Sequence, residues 1–224
     1  MGILALIIGP ALFWAGYHRY KDRFEPEPLG YLAVAFLLGI GAGMLASWGY
    51  QALDWFDLRY DAYRLAREDL WGLWWYSILA IGLIEEAAKL IPFLVVVLRW
   101  SHFDQPLDGI IYASFIALGF ASHENLLWLP ALAPWEAVGR SLASPLVHVM
   151  FASIWGFAIS RARFVSGSLP LAVFWGLGLS ALLHGVFDFI TIGLPHWVRI
   201  GPPLLILAIW LWRMHQVRRL HGDP

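Results

Sequence analysis

The 224 residues contain no cysteine, so disulfides, thiolate metal sites and a cysteine nucleophile are all excluded. Any metal bound by this chain must be held by His, Asp or Glu. Charge is sparse as well: Asp, Glu, Lys and Arg make up 14% of the residues and the formal net charge is −1. That balance offers none of the basic field that nucleic-acid binding requires. No internal repeat, low-complexity tract or soluble domain interrupts the chain.

What remains is mostly apolar. The sequence is 60% hydrophobic with 14 tryptophans and has a mean hydropathy of +0.65, outside the range of soluble domains and typical of polytopic membrane proteins. At about 20 residues per crossing, the hydropathy pattern predicts an all-α transmembrane bundle of about seven spans. Their limits are 2–17, 29–53, 71–98, 109–132, 141–160, 169–190 and 198–213. The whole of 1–224 is read as one integral membrane domain. The first segment lacks a basic leader and an A-x-A-like exit, so it reads as a retained span, not a signal peptide. Residue Leu6 stands where a myristoylation signal places Ser or Thr, so no lipid anchor is expected.

Glu25-Pro26-Glu27-Pro28 in the first connection cannot continue a helix. The second connection, 54–70, mixes charge with Trp55, Phe56, Tyr60 and Tyr63 and reads either as a helix lying on the membrane surface or as a solvated loop. With Arg199 counted in the sixth connection and Arg213 in the C-terminal tail, an outside N-terminus puts nine Lys and Arg on the cytoplasmic side against five opposite. The positive-inside rule therefore places the C-terminus in the cytoplasm. Gly39, Gly41 and Gly43 in the second span and Ala113, Ala117 and Ala121 in the fourth allow close helix approach.

Against this background, ionisable residues in mid-span stand out, because each costs about 2.5 to 3.5 kcal/mol on insertion scales. The third span carries Glu85, Glu86 and Lys89, the fourth Glu124, the fifth His148, and the sixth His184 and Asp188. With a 1.5 Å rise per residue, Glu85, Glu124, His148 and His184 lie about 20, 22, 18 and 22 Å from the cytoplasmic ends of their helices. Four helices, two in each direction, thus place their costly residues in one layer, as ligands of a single ion must be.

Two imidazoles and a carboxylate are a common set for catalytic zinc with a water in the fourth position. A nearby unliganded Glu takes that water's proton, a role open to Glu85 or Glu86. Lys89 either keeps the second carboxylate ionised or polarises a substrate carbonyl. Asp188, one turn from His184, is either a further ligand or the acceptor that fixes the imidazole tautomer. His123 precedes Glu124 and points about 100° away from it.

These motifs resemble those of the PrsW family of intramembrane proteases, within the CAAX prenyl endopeptidase-like superfamily. The matching pieces are EEAAK at 85–89, GFASHEN at 119–125, His148, HGVFD at 184–188, the EPEP connector and DGIIYASF leading into the fourth span. Lys89 and Glu124 depart from the EExxxR and FxxxH patterns of CAAX endopeptidases and favour the PrsW branch. The resemblance implies Glu85 and Glu86 as the catalytic pair and Glu124, His148 and His184 as metal-site residues. It also implies cleavage of membrane-anchored proteins such as anti-sigma factors, in a bacterial or archaeal cell membrane. Three other readings use the same polar layer. One is a metal-free glutamate protease and another a scaffold that grips partner helices. The last, a proton-coupled transporter, lacks the paired inverted repeats expected of it.

Overall fold

The computed structural model describes residues 2–198 and 200–221. Arg199, in the seventh expected span, and the last three residues of the C-terminal tail lie outside them. The described residues are helical with no strand: α1 (Ile3–Lys21), α2 (Leu29–Asp54), α3 (Ala62–Glu68), α4 (Leu70–Tyr76), a π-helical segment Ser77–Gly82, α5 (Leu83–Val95), α6 (Pro106–Trp128), α7 (Pro134–Phe164), α8 (Leu169–Gly193) and α9 (Gly201–His221). Among them, Leu29–Asp54, Pro106–Ala131, Pro134–Phe164 and Leu169–Gly193 are long and apolar enough to cross a membrane.

The helix boundaries follow local chemistry. Pro106 and Pro134 open α6 and α7, where a missing N–H costs nothing. Asp61 caps α3 and Asp69 caps α4 through their side-chain oxygens. The expected third span is not one uniform helix, because α4 and α5 are joined through the wide π turn at 77–82. The fifth is longer than expected at both ends, which brings Arg140 inside α7. The surface helix expected over 54–70 is reduced to the seven residues of α3. The chain before it turns at Asp57, whose φ is 56°.

Packing closes six elements into a ring: α2 on α6, α6 on α7, α7 on α8, α8 on the π segment and α5, and α5 back on α2. Small residues permit the closest crossings. A Cβ at Gly39 would collide with the Ile116 carbonyl of α6, and one at Gly109 with the Gly156 carbonyl of α7. At the crossing of the π segment with α8, a Cβ at Gly82 would meet the Ala181 carbonyl and one at Gly185 the backbone of Ile78. Helices α1 and α9 lie outside the ring, both on α6 and α7, with α9 also touching α8. Arg213, assigned to the C-terminal tail by sequence, is instead buried in α9. It donates to Ser114 at 3.0 Å and to Ser153, and lies 3.0 Å from Nδ1 of His18.

The EPEP connector folds back onto the bundle. The Glu27 N–H donates to Asp22 Oδ2 at 2.8 Å, and the Tyr112 hydroxyl donates to Glu27 Oε2. Burial pushes the Asp22 carboxyl up to about 6, against the N–H of Glu27, and raises Glu27 as well.

Candidate active site

The ionisable residues that the sequence places at one depth meet inside the ring. Glu85 and Glu86 open α5 immediately after the π turn, and both are buried. Gly82 and Gly185 let α8 approach that turn closely, so His184, the residue before Gly185, reaches both glutamates. Its Nδ1 lies 2.8 Å from Glu86 Oε1, and its Nε2 lies 3.7 Å from Glu85 Oε2. His148, from the middle of α7, contributes Nδ1 at 4.0 Å from the same Glu85 oxygen. Donor atoms of Glu85, His148 and His184 all fall within 4.8 Å of one another, and all three residues are buried.

Around this group stands a set of orienting partners. Glu86 accepts from Lys89 and from Trp155 Nε1 at 3.0 Å, and the Glu86 and Lys89 side chains have no exposed surface. The Lys89 ammonium also lies 3.1 Å from His148 Nδ1 and sits 4.6 Å above the Phe120 ring. On the other side of His148, Nε2 lies 2.8 Å from Glu124 Oε2, and Arg140 holds Glu124 Oε1 at 2.9 Å. Asp188 Oδ2 is 3.6 Å from His184 Nε2. Phe151 stacks on His184 with centroids 4.8 Å apart. The Tyr50 hydroxyl, from the end of α2, donates to Glu85 Oε1 at 2.8 Å.

All seven residues singled out in the sequence therefore lie in one connected cluster. The three that converge are Glu85, His148 and His184, while Glu124 stands beyond His148 on its far nitrogen. His123 lies against Gly43 of α2 instead. The sequence reading missed Tyr50, Arg140 and Trp155. Trp155 had a usable signal, since it is seven residues after His148 and hence on the same helix face. Arg140 was hidden by treating 133–140 as a connection.

The three convergent donors suit a metal chemically. Zinc with N and O ligands at about 2.0 to 2.2 Å separates neighbouring ligand atoms by about 3.3 Å, slightly less than the 3.7 and 4.0 Å found here. Each imidazole also has its other nitrogen on a carboxylate, Glu86 for His184 and Glu124 for His148. That is the usual way of fixing a ligating histidine.

Comparison with known proteins shows the family. The sequence profile described as PrsW family intramembrane metalloprotease matches residues 27–213, which span every member of the cluster. The chain belongs to the PrsW family. Protease PrsW of Bacillus subtilis (strain 168) is 30% identical over 93% of this chain and 91% of its own length. Protease PrsW of Clostridioides difficile (strain 630) is 32% identical, over 96% and 87% respectively, and that of Geobacillus kaustophilus (strain HTA426) 29%, over 96% and 90%. No solved structure gives a significant match. As a PrsW family member, the chain is an integral membrane peptidase, and the buried Glu85, His148 and His184 are a group able to hold a metal ion.

Proposed function

We propose that the protein is a zinc-dependent intramembrane endopeptidase that hydrolyses membrane-anchored proteins of the anti-sigma-factor kind. The supporting observation is the convergence of Glu85, His148 and His184 at the centre of the helix ring. In this reading Glu85, His148 and His184 hold the ion. Glu124, assigned as a ligand from sequence, instead fixes the ring of His148, and Arg140 holds Glu124 in turn. Bound there, zinc would supply a water of lowered pKa and Lewis-acid polarisation of the scissile carbonyl. Glu86 and Lys89 neutralise one another beneath His184, where no substrate reaches them. The side chains of Asp188 and Glu124 are equally exposed, 20% each, but Glu124 is held by Arg140 and His148, which leaves Asp188 as the carboxylate able to receive the water's proton.

One contact favours a second reading. Lys89 Nζ sits 3.1 Å from the nitrogen of His148 that faces Glu85, where an ammonium competes with a metal cation. In a metal-free glutamate peptidase, Glu85 itself takes the proton of a water held against the two imidazoles. Cleavage of a single-span reporter by detergent-purified protein, with and without strong chelation and beside a zinc assay, separates the readings. Activity that chelation removes and zinc restores supports the metalloenzyme, whereas activity indifferent to both supports the glutamate peptidase. No cleavage and no metal leaves a helix-binding scaffold.

We also propose seven crossings, with α4, the π segment and α5 forming the third, the N-terminus outside and the C-terminus cytoplasmic. The cysteine-free sequence makes the test direct. Single cysteines introduced at Arg64 and Ser166 should react with a membrane-impermeant maleimide from opposite sides, Arg64→Cys from outside. Labelling of both from one side overturns this topology.

A further inference from the structure

Six ionisable side chains of the site hold one another directly. Glu86, Lys89, His148, His184, Glu124 and Arg140 are linked in pairs at hydrogen-bond distance. Among the described residues, Glu85 has its direct hydrogen bond from outside that chain, from the Tyr50 hydroxyl. Lys89, four residues on and able in principle to pair with Glu85, is turned onto Glu86 and His148. Left alone, the terminal torsion of a glutamate is broad and roughly two-fold, so neither oxygen would be fixed in the site.

The contact between the two helices at this point is tight. Gly49, just before Tyr50, faces Ile84, just before Glu85, and a Cβ at Gly49 would come within 3.0 Å of Ile84 Cγ2. The approach sets the phenol against Oε1 and leaves Oε2 as the oxygen 3.7 and 4.0 Å from the two imidazoles.

Building on the peptidase reading above, we infer that Tyr50 is a positioning residue of this enzyme, whose hydroxyl occupies Glu85 Oε1 and thereby presents Oε2 to His148 and His184. The role is the same whether Glu85 holds an ion or takes a proton from water, since both need one oxygen aimed at one place. A hydroxyl donating to an ionised carboxylate makes a strong, short hydrogen bond. Loss of such an outer partner lowers metal affinity or activity by about 10 to 100-fold.

The test is Tyr50→Phe in the full-length detergent-purified protein, which keeps the ring and removes only the hydroxyl. Three quantities are read: kcat and KM on the single-span reporter, zinc affinity by titration with zinc chloride against a chelating dye, and the melting temperature. The expected result is kcat or zinc affinity lower by about 10 to 100-fold with KM unchanged, at a melting temperature close to wild type. A lower melting temperature with kcat and zinc affinity intact would mean that Tyr50 merely straps α2 to α5, and overturns the inference. Should the phenylalanine variant lose its melting transition, Tyr50→Gln and Tyr50→Met decide the point. The donor-bearing Gln should retain clearly more activity than Met, and equal activity overturns the inference. Wild-type protein that neither cleaves nor binds zinc defeats the peptidase reading itself, an outcome visible before any variant is made.

Discussion

Lys89 Nζ lies 3.1 Å from Nδ1 of His148, and this contact dictates how the imidazole is protonated. An ammonium has donors only, so Nδ1 must accept and the ring proton belongs on Nε2, which faces Glu124 at 2.8 Å. The lone pair of His148 is thereby turned toward Glu85. An ion taken up there would release Lys89 from His148 while leaving it on Glu86.

Removing the lysine should be costly for that reason. Lys89→Met leaves Glu86 ionised in a sealed site with only Trp155 and His184 as partners. Breaking one side of a buried pair costs about 3 to 5 kcal/mol. Unfolding in mixed micelles should show a loss of that order for Lys89→Met. The double variant Glu86→Gln/Lys89→Met should recover part of it, and strict additivity would mean the pair is not coupled.

Zinc content measured beside cleavage rate sorts the cluster by role. Glu85→Gln, His148→Ala and His184→Ala should each lose both zinc and turnover. Glu124→Gln should retain zinc with affinity or activity weaker by about 10 to 100-fold, whereas Asp188→Asn should keep its zinc and lose turnover by about 10² to 10⁴-fold, as removal of a general base does. Full zinc occupancy with no turnover in Glu85→Gln would return Glu85 to the role of base.

Gly185→Ala tests the crossing that delivers His184. The added methyl would run into the backbone of Ile78, and overpacking of this kind typically costs about 1 to 3 kcal/mol. Cleavage should fall more steeply than stability, because α8 must back away from the turn that carries both glutamates. Wild-type activity in this variant would show that the spacing between α8 and α5 is not critical.

The connector at the end of α1 predicts a dependence on pH. Asp22 is pushed up to about 6 by burial, and Arg19, Glu25, Glu27 and Asp108 are the charged groups around it. Its unfolded value is about 3.9. The folded state therefore binds the extra proton, and this group's contribution to stability is full below about pH 4 and lost as pH rises through about 6. Melting temperatures of Asp22→Asn and wild type, compared from pH 4 to 7, should diverge in favour of the variant toward neutral pH. A constant difference would remove Asp22 as the source.

Much of the site was legible in the sequence because membrane burial makes each ionisable residue conspicuous. Glu85, Glu124, His148 and His184 could be placed at one depth from helix rise alone, and the structure brings them into one cluster. Rise along an axis says nothing about rotation about it, however. The sequence could not show that Glu85 faces both imidazoles while Glu124 stands outside them, for that depends on helix azimuth. The π turn at Ser77–Gly82 was equally hidden, since the apolar run through it reads as ordinary helix. Arg140 was lost to a boundary error, and Tyr50 because a tyrosine near a helix end looks like any interfacial aromatic.

The wide turn before Glu85 also sets the phase of everything after it. A π turn carries one residue more than an α turn, and winding the same residues as an ordinary α-helix would rotate α5 by about 100° and carry it on by about 1.5 Å. Glu85 would then take the station of Glu86, and Glu86 the half-exposed station of Ala87. Lys89 would move to the place of Leu90, beside the wrong neighbours. The motif would still read EEAAK. Its chemistry therefore depends on the six residues Ser77–Gly82 upstream, which contain no ionisable group and hold the helix one residue out of step.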